Sequence, residues 1–270
     1  MTTCTSPSKK ALLGLDLGGT KIEGTILLAG EQGNLNVLLR ERVATCQEEG
    51  YEAIVARCAD FVRKIASDAS ISLSDTSIGV GMPGSIQRQS GLVKNSNTTC
   101  LNGRPFREDL KAALGQEIVF DNDANCFALA EAQMGAGKRY VDGIVFGVIV
   151  GTGVGGGWVI NGRVWPGTHG IAGEWGHHEV YSHRPDNDSF PGFRPCYCGR
   201  RGCLETFASG PAVEKDYQRR SGKALSLARI AELYPHDVHA KASLDLHLDA
   251  FGRALANVIN IMDPSAIVLG

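Results

Sequence analysis

The chain has 270 residues and a formal net charge of −2, with 43% hydrophobic and 21% charged residues. This length and balance suit a soluble globular protein of one large or two small domains, and the near-neutral charge gives no electrostatic reason to bind nucleic acid or an anionic membrane. No apolar run approaches the roughly 20 residues that span a bilayer, and Asp16 interrupts the N-terminus before a signal-peptide core could form, so we expect a cytoplasmic protein.

The first motif is "LLGLDLGGTKIEGTILLAG", residues 12–30. An apolar strand leads into Gly18-Gly19-Thr20-Lys21, and an approximate period of two follows, which predicts strand, glycine turn and strand. The glycine turns of dinucleotide-binding folds and P-loops open a helix instead. A glycine hairpin lets backbone N–H groups approach phosphate oxygens, although one such loop alone can be a plain tight turn.

The following elements indicate an α/β organisation. Residues 51–66 place their apolar side chains on one helical face, and residues 77–86 form a predicted strand that ends in a Pro-Gly turn. Residues 116–137 predict a buried strand, a polar turn and a helix. We place the domain boundary near that polar turn, which gives an N-terminal domain of residues 1–120 and a C-terminal domain of residues 121–270.

A second glycine hairpin lies in "IVFGVIVGTGVGGGWVINGRV", residues 144–164. An apolar strand again enters a glycine-rich run, a strand emerges at Trp158, and Asn161-Gly162 supplies a hairpin turn. Two stretches of the same layout indicate two similar halves that each offer a hairpin to phosphate. Such a pair resembles the actin-like ATPase fold of sugar kinases. Further on, residues 243–264 predict a long helix with Leu244, Leu248, Phe251, Leu255, Ile259 and Met262 on its apolar face.

The most specific local signal is "GEWGHHEV" followed by "PCYCGRRGCLETFASG". Cys196, Cys198 and Cys203 form a C-x-C-x4-C pattern, and His177 lies upstream. Buried structural cysteines would not explain a polar, glycine-rich segment, whereas a tetrahedral Cys3His zinc site does. His178 and His183 remain alternatives for the fourth ligand. Four protein ligands would make the zinc structural, because no coordination position stays open.

Six motifs, "LDLGGTK", "GMPG", "FDNDAN", "GTGVGGG", "GEWGH" and "CYCGRRGCLETFASG", occur in the order typical of the ROK family of bacterial sugar kinases and repressors. The chain resembles this family over essentially its whole length. The resemblance implies a two-domain actin-like ATPase fold of the sugar kinase/hexokinase type with a zinc-binding loop. It also implies an ATP-dependent hexose phosphotransferase with Mg²⁺ and structural Zn²⁺, a hexose and ATP as small-molecule partners, and a homodimer.

Within the family, "VKNSNTTCLNGRPFREDL" resembles the fructokinase (manno/fructokinase) branch. We therefore expect phosphorylation of D-fructose, and also of mannose, to the 6-phosphate. A pocket shaped for free hydroxyls would disfavour an N-acetyl group, because an unpaired buried amide costs about 1–3 kcal/mol. Kinases of N-acetylglucosamine, other N-acetylhexosamines or glucose are the alternative. A sugar-sensing repressor is disfavoured, since the first glycine motif begins near residue 12 and leaves no space for a DNA-binding domain before it.

The resemblance also assigns roles to residues. Asp123 of "FDNDAN" matches the catalytic base, a carboxylate that accepts the proton of the sugar hydroxyl, although it could equally cap the helix that follows. Glu174 and Glu205 match sugar-hydroxyl ligands, and each stands close in sequence to a predicted zinc ligand that would fix it. The full set of implied sugar-binding residues is Gly84, Asn97, Asn122, Asp123, Glu174, His177 and Glu205.

The two glycine motifs match the ATP phosphate loops of the family, with Asp16 near Mg²⁺. The implied residues are Gly14, Asp16, Gly18, Gly19, Thr20, Lys21, Gly151, Thr152, Gly153, Gly155, Gly156 and Gly157. The chain stops at "DPSAIVLG", where members of the family usually continue with more glycines, an adenosine-contacting segment and a final helix. We therefore expect the 270-residue form to lack part of the adenine site.

Overall fold

The structure is a computed structural model that describes residues 11–30, 34–87, 89–181 and 194–270. The chain divides into two compact units, Met1–Asp123 and Ala124–Gly270, here called unit one and unit two. This division falls at the end of the predicted polar turn. The predicted boundary after residue 120 lies three residues earlier and would divide the strand Ile118–Asn122. Among the described residues, no helix is long and apolar enough to span a membrane.

Unit one is built on a five-stranded sheet in the order β3-β2-β1-β4-β7. The central strand β1 pairs antiparallel with β2 and parallel with β4, and β7 extends the parallel part. Two short strands, β5 and β6, form a separate hairpin. The strands are β1 Ala11–Leu17, β2 Lys21–Ala29, β3 Leu35–Ala44, β4 Thr76–Met82, β5 Ser85–Ile86, β6 Val93–Lys94 and β7 Ile118–Asn122.

Helices α1, Tyr51–Asp68, and α2, Phe106–Leu114, complete unit one. The apolar face predicted for α1 is buried at Ile54, Phe61 and Ile65. Helix and sheet approach closely because β2 carries Gly24, where a Cβ atom would lie 2.5 Å from Ile65 Cδ1. The sheet and α1 thus form one apolar core beneath the first glycine turn.

Unit two contains a four-stranded sheet in the order β10-β9-β8-β11. Strand β8 pairs antiparallel with β9 and parallel with β11, so the carboxyl ends of β8 and β11 share one edge. The strands are β8 Ile144–Val150, β9 Val154–Ile160, β10 Arg163–Val164 and β11 Ala266–Leu269, and the helices are α3 Asp123–Gln133, α4 Glu205–Ala208, α5 Gly210–Ser221, α6 Leu227–Leu233 and α7 Val238–Met262.

The long helix α7 corrects one detail of the sequence prediction. Of the predicted apolar face, Leu248 is 58% exposed and Ile259 43% exposed, whereas Ala250 and Ala254 are fully buried. Both sides of this helix carry apolar residues, so a prediction from periodicity assigned the larger apolar side chains to the buried face. The small residues instead let α7 pack closely into the core of unit two.

Strand β9 and helix α3 approach each other at Gly157. A Cβ atom at this position would lie 2.6 Å from the carbonyl oxygen of Ala124 and 2.9 Å from Asn125 Cα. Both atoms belong to the backbone of α3, so no side-chain rotation could relieve the clash. The strand therefore requires a residue without a side chain here.

We predict that Gly157→Ala destabilises the protein by about 1–3 kcal/mol, the usual cost of forcing an extra methyl into a packed core. Gly252→Ala in α7 is the matched control, because a Cβ atom there meets nothing within 4 Å. The control should be neutral or stabilising by about 0.5–1 kcal/mol, since alanine is the better helix former. Urea unfolding of both variants tests this, and equal midpoints for the two would contradict it.

Candidate active site and metal centre

The first glycine turn is held by hydrogen bonds between backbone groups and a buried threonine. Gly18 N–H donates to the carbonyl of Lys21 at 2.9 Å. Thr45, which is fully buried, donates its hydroxyl to Gly18 O at 2.6 Å and its N–H to Thr20 O at 3.0 Å. Thr45 thereby fixes the turn from outside it. No sequence motif pointed to this residue, because it follows β3 and reaches the turn only through the sheet.

Asp16 and Glu23 are directly opposite each other on β1 and β2, next to this turn. Burial raises the pKa of Asp16, the negative charge of Glu23 raises it further, and Lys21 opposes the shift. Arg40 and Arg42 from β3 form ion pairs with Glu23. A bound cation would relieve the remaining repulsion on Asp16, so the carboxylate suits the magnesium role that the sequence implies. Gly14 lies farther back, within β1 and paired with Thr25.

The other predicted residues of unit one follow the carboxyl ends of neighbouring parallel strands. Asn122 ends β7, and its side-chain amide donates to the carbonyl of Gly84, just after β4, at 2.9 Å. Gly84 has a φ of +80°, and a Cβ atom there would lie 2.5 Å from the carbonyl oxygen of Lys94, so only glycine fits. Asp123 follows as the first residue of α3 and is exposed. The carboxyl edge of a parallel sheet is where α/β proteins usually bind ligands.

Asn97 lies over the first glycine turn. A Cβ atom on Gly19 would be 4.0 Å from Asn97 Oδ1 and 3.8 Å from the hydroxyl of Thr98. The loop that carries Asn97 is fixed by Asn102, whose side chain accepts from Ser96 N–H and donates to Ser96 O, both at 2.9 Å. Asn102 therefore positions the loop, and the exposed amide of Asn97 remains at the turn.

The second glycine turn, Gly151–Gly153, lies in unit two between β8 and β9. Gly151 N–H donates to Gly153 O, and Gly210 N–H from the start of α5 donates to Gly151 O, both at 2.9 Å. At the start of β9, Val154 N–H donates to Glu205 Oε2 at 3.0 Å. The turn is thus held by the segment that contains the predicted sugar ligand Glu205.

The glycines that follow this turn belong to β9, and the two glycines of the "GEWGH" segment let that segment lie against the β9 backbone. A Cβ atom on Gly173 would lie 2.1 Å from Gly156 O, and one on Gly176 would lie 2.1 Å from Val154 O. Trp175 between them donates its indole N–H to Gly155 O at 2.9 Å. This packing positions Glu174 and His177 beside the strand. The sequence motifs do not predict that Trp175 binds the strand in this way. Gly155, Gly156 and Gly157 therefore lie in the strand, and Gly151, Thr152 and Gly153 form the turn.

The predicted metal ligands converge. The ligand atoms of His177, Cys196, Cys198 and Cys203 all lie within 4.8 Å of one another. Cys198 Sγ and Cys203 Sγ are 3.7 Å apart, and Cys196 Sγ is 3.6 Å from His177 Nδ1. A tetrahedral zinc ion bound at ordinary lengths would separate two sulfurs by about 3.8 Å and a sulfur from a nitrogen by about 3.6 Å. The four side chains therefore fit one zinc ion.

Backbone pairing brings the histidine and the cysteines together. Val180 N–H donates to Gly202 O at 3.1 Å, and Leu204 N–H donates to His178 O at 3.0 Å. Cys203 lies between these bonds and is fully buried. Its burial, and to a smaller extent the neighbouring thiols of Cys198 and Cys196, raise its pKa to about 12. A thiol held in its neutral form in this way becomes a good ligand only when a cation stabilises the thiolate.

The geometry separates the histidine candidates. His177 Nδ1 faces Cys196, while His177 Nε2 lies 3.2 Å from the hydroxyl of Tyr197 and 3.9 Å from Glu174 Oε2. His178 instead lies 3.4 Å from the side-chain amide of Asn257 on α7. His183 lies outside the described residues. Of the two described candidates, His177 is the one placed to bind a metal together with the cysteines.

Arg194 anchors the chain that leads into the cysteines. Its guanidinium donates to Thr206 O at 2.8 Å and to Asp216 Oδ1 at 2.5 Å. The Asp216 side chain is only 2% exposed and also binds Arg219 and Arg220. Because a buried carboxylate needs such partners, these contacts join the cysteine segment to α5.

A cavity of ≈ 510 Å³ opens beside these groups within unit two. The second glycine turn lines it through Thr152, the cysteine segment through Tyr197, and α4 through Glu205. Ser209, which caps α5, and Lys215 within α5 also line it. The cavity brings together hydroxyl, carboxylate and ammonium groups, as expected of a polar small-molecule site.

These features define a phosphotransferase of the actin-like ATPase fold, with a glycine turn in each unit and a cluster of one histidine and three cysteines in the second. The ROK family model matches residues 12–270, and the chain belongs to the ROK family. The N-acetyl-D-glucosamine kinase of Haemophilus influenzae (strain 86-028NP) is 37% identical over 261 residues, covering 95% of this chain and 82% of that protein.

Solved structures agree with this assignment. The ROK hexokinase from Thermus thermophilus superposes with a TM-score of 0.77 at 30% identity, covering 96% of this chain and 81% of that one. A ROK family glucokinase from Streptomyces griseus, solved in complex with glucose and AMPPNP, gives 0.70 at 27% identity and covers 96% and 82%. The chain is therefore a sugar kinase of the ROK family that acts on a hexose or hexosamine.

We predict that the purified protein contains one zinc ion per chain, bound at the four converging side chains. Cys198→Ser should lose most of this zinc, because serine lacks the thiolate that zinc prefers. Metal analysis of protein purified without chelator measures both. A zinc-free parent protein, or a Cys198→Ser variant with full zinc content, would rule out the site.

The two histidines provide a matched comparison. His177→Ala should lower zinc affinity by at least about tenfold, because it removes one of four ligands. His178→Ala should retain the parent affinity, since its ring faces Asn257. Competition with a chromogenic chelator measures both affinities, and the reverse order would assign the metal to His178.

Proposed function

We propose that this protein phosphorylates N-acetyl-D-glucosamine at the expense of ATP. The supporting observation is the 37% identity to an N-acetyl-D-glucosamine kinase across 95% of the chain. The sequence motifs around Asn97 favour D-fructose by resemblance alone, whereas the identity to the N-acetyl-D-glucosamine kinase extends over 261 residues. The relative therefore supports phosphorylation of a hexosamine, the alternative to D-fructose.

An N-acetyl group requires polar partners, because leaving its amide unpaired in a pocket would cost about 1–3 kcal/mol. The exposed side chain of Asn97 can both donate and accept a hydrogen bond, and Asn102 holds its loop against the first glycine turn. This arrangement supports a role for Asn97 in sugar binding. Gly84 and Asn122, joined by a hydrogen bond, would form the neighbouring wall in unit one.

Asp123 is the proposed general base. An ionised carboxylate can accept a proton from the sugar hydroxyl, and Asp123 lies at the carboxyl edge of the parallel sheet, directly after β7. As the hydroxyl loses its proton to Asp123, its oxygen attacks the γ-phosphorus of ATP, and the bond to the β–γ bridging oxygen breaks. The fixed position of Asn122 next to Asp123 supports this assignment.

The two glycine turns are the proposed sites for the phosphates of ATP. Both present backbone N–H groups without side chains in the way, which suits polyphosphate oxygens. Asp16 would hold Mg²⁺ next to the first turn. Bound Mg²⁺ would neutralise charge on the phosphates and so stabilise the transferred group.

In unit two, we propose Glu174, His177 and Glu205 as ligands of sugar hydroxyls. His177 would bind zinc through Nδ1, which leaves Nε2 for the sugar, and its distance of 3.9 Å from Glu174 supports a shared polar surface. The zinc would be structural, because four protein ligands close its coordination. Its contribution would be to fix these side chains. The homodimer that the family resemblance implies remains a prediction.

The substrate proposal is tested by measuring kcat/KM with Mg-ATP for N-acetylglucosamine, N-acetylmannosamine, glucose, mannose and fructose. We expect N-acetylglucosamine to exceed fructose by at least about tenfold, a difference of about 1.4 kcal/mol in transition-state stabilisation. Should fructose or glucose be preferred by the same margin, the hexosamine assignment would be wrong. The ROK kinase assignment would then stand with a different sugar.

The role of Asp123 is tested with Asp123→Asn, which should lower kcat by roughly 10²–10⁴-fold because the amide cannot take up the proton. The affinity for N-acetylglucosamine should change little, since asparagine keeps the shape of the side chain. Asp121→Asn is the comparison variant, because Asp121 is the other carboxylate of the same motif and its Oδ1 accepts from the N–H of Asn122. Coupled ADP detection gives kcat for both, and an active Asp123→Asn enzyme would move the base to another residue.

A further inference from the structure

We propose that Glu205 has a second function as a clamp on the glycine turn Gly151–Gly153. The same carboxylate would bind the sugar and hold the nucleotide turn, so that sugar and nucleotide each strengthen the binding of the other. This inference rests on the proposed function for its assignment of Glu205 to the sugar and of the turn to ATP phosphates. The clamp itself involves residues of unit two alone.

The carboxylate lies directly against the turn. Glu205 Oε2 accepts the hydrogen bond from Val154 N–H at 3.0 Å. A Cβ atom on Gly153 would lie 2.6 Å from the same oxygen and 3.5 Å from Glu205 Cδ. A side chain on Gly153 would therefore have to push the carboxylate away from the turn, so glycine at position 153 permits this contact. A hydrogen bond to a charged acceptor is also stronger than one between neutral groups.

A second bond ties the same segment to the other end of the turn. Gly210 N–H donates to Gly151 O at 2.9 Å. Between the two contacts, Ser209 caps α5 by accepting from Ala212 N–H at 3.3 Å. Helix α4 joins Glu205 to this cap without an intervening loop. Residues 205–210 thus hold both ends of the turn, and a movement of Glu205 would be transmitted to it.

Glu205 also lines the ≈ 510 Å³ cavity together with Thr152 from the middle of the turn. A sugar hydroxyl that donates to the carboxylate in this cavity would restrict the rotation of the Glu205 side chain. The restricted carboxylate would keep its bond to Val154 N–H and so favour the conformation of the turn that receives phosphate. Coupling of this kind is reciprocal, so bound nucleotide must raise the affinity for sugar by the same factor.

Three substitutions separate the clamp from the sugar contact. Glu205→Gln keeps an oxygen that can accept from Val154 N–H but loses the charge, whereas Glu205→Ala removes the acceptor. Gly153→Ala leaves Glu205 intact but places a methyl group where the carboxylate lies. Isothermal titration of the full chain should give Kd for MgADP and for N-acetylglucosamine, each with and without the other ligand.

We expect the parent protein to bind MgADP at least about fivefold more tightly when sugar is present, a typical lower value for coupled sites. Glu205→Ala should raise the Kd for MgADP by roughly threefold to tenfold, the net contribution of one hydrogen bond, and abolish the coupling. Glu205→Gln should raise the Kd for MgADP less than Glu205→Ala does, because an acceptor remains but the charge that strengthens the bond is lost. Gly153→Ala should weaken the binding of both ligands.

Glu214→Ala is the matched control, since Glu214 on α5 accepts from Leu227 N–H at 2.8 Å, and so caps a different backbone group of unit two. It should leave both Kd values and their coupling unchanged, which excludes a general loss of stability as the cause. The clamp would be wrong if Glu205→Ala bound MgADP with the parent Kd and still bound it more tightly when sugar is present. If the MgADP effects occur but no variant nor the parent binds N-acetylglucosamine, the clamp stands and the sugar assignment fails.

Discussion

Strand β9 is the element on which the site of unit two depends, because its backbone is approached from two sides at distances that no side chain would allow. Helix α3 contacts it at Gly157, and the "GEWGH" segment lies against the carbonyls of Val154 and Gly156. The first contact connects the strand to the helix that begins at Asp123. The second determines where Glu174 and His177 lie. A side chain at Gly157, Gly173 or Gly176 would therefore displace these neighbouring segments as well as the core.

Both glycine turns are built on the same principle. Their shape comes from backbone hydrogen bonds, and a polar side chain from a distant segment completes each one, Thr45 in unit one and Glu205 in unit two. The indole of Trp175 does the same for the strand that follows the second turn. Polar groups that would be unsatisfied in a bare turn are thus paired, so the remaining N–H groups can be offered to a ligand.

Local patterns in the sequence predicted much of this architecture. The alternation in β2, the apolar face of α1 and the Cys-x-Cys spacing each reflect contacts made within a short stretch of chain. Features that depend on distant partners could not be predicted in this way. Thr45 becomes important only after β3 returns to the first turn, and the choice of His177 over His178 follows from the pairing of residues 177–180 with 202–204. In α7, apolar residues on both sides concealed the face that is buried.

The use of backbone groups in the turns has a consequence for how this family diversifies. A phosphate site made of backbone N–H groups keeps its hydrogen-bond donors when most side chains are substituted. Binding of the phosphoryl donor would therefore tolerate most changes in sequence. The proposed sugar-binding groups, such as those of Asn97 and Glu174, are side chains, and a single mutation can replace them. Selection can therefore alter the acceptor while the donor site persists. Hexokinase, glucokinase and N-acetylglucosamine kinase, at 27–37% identity to this chain, are what such a separation would produce.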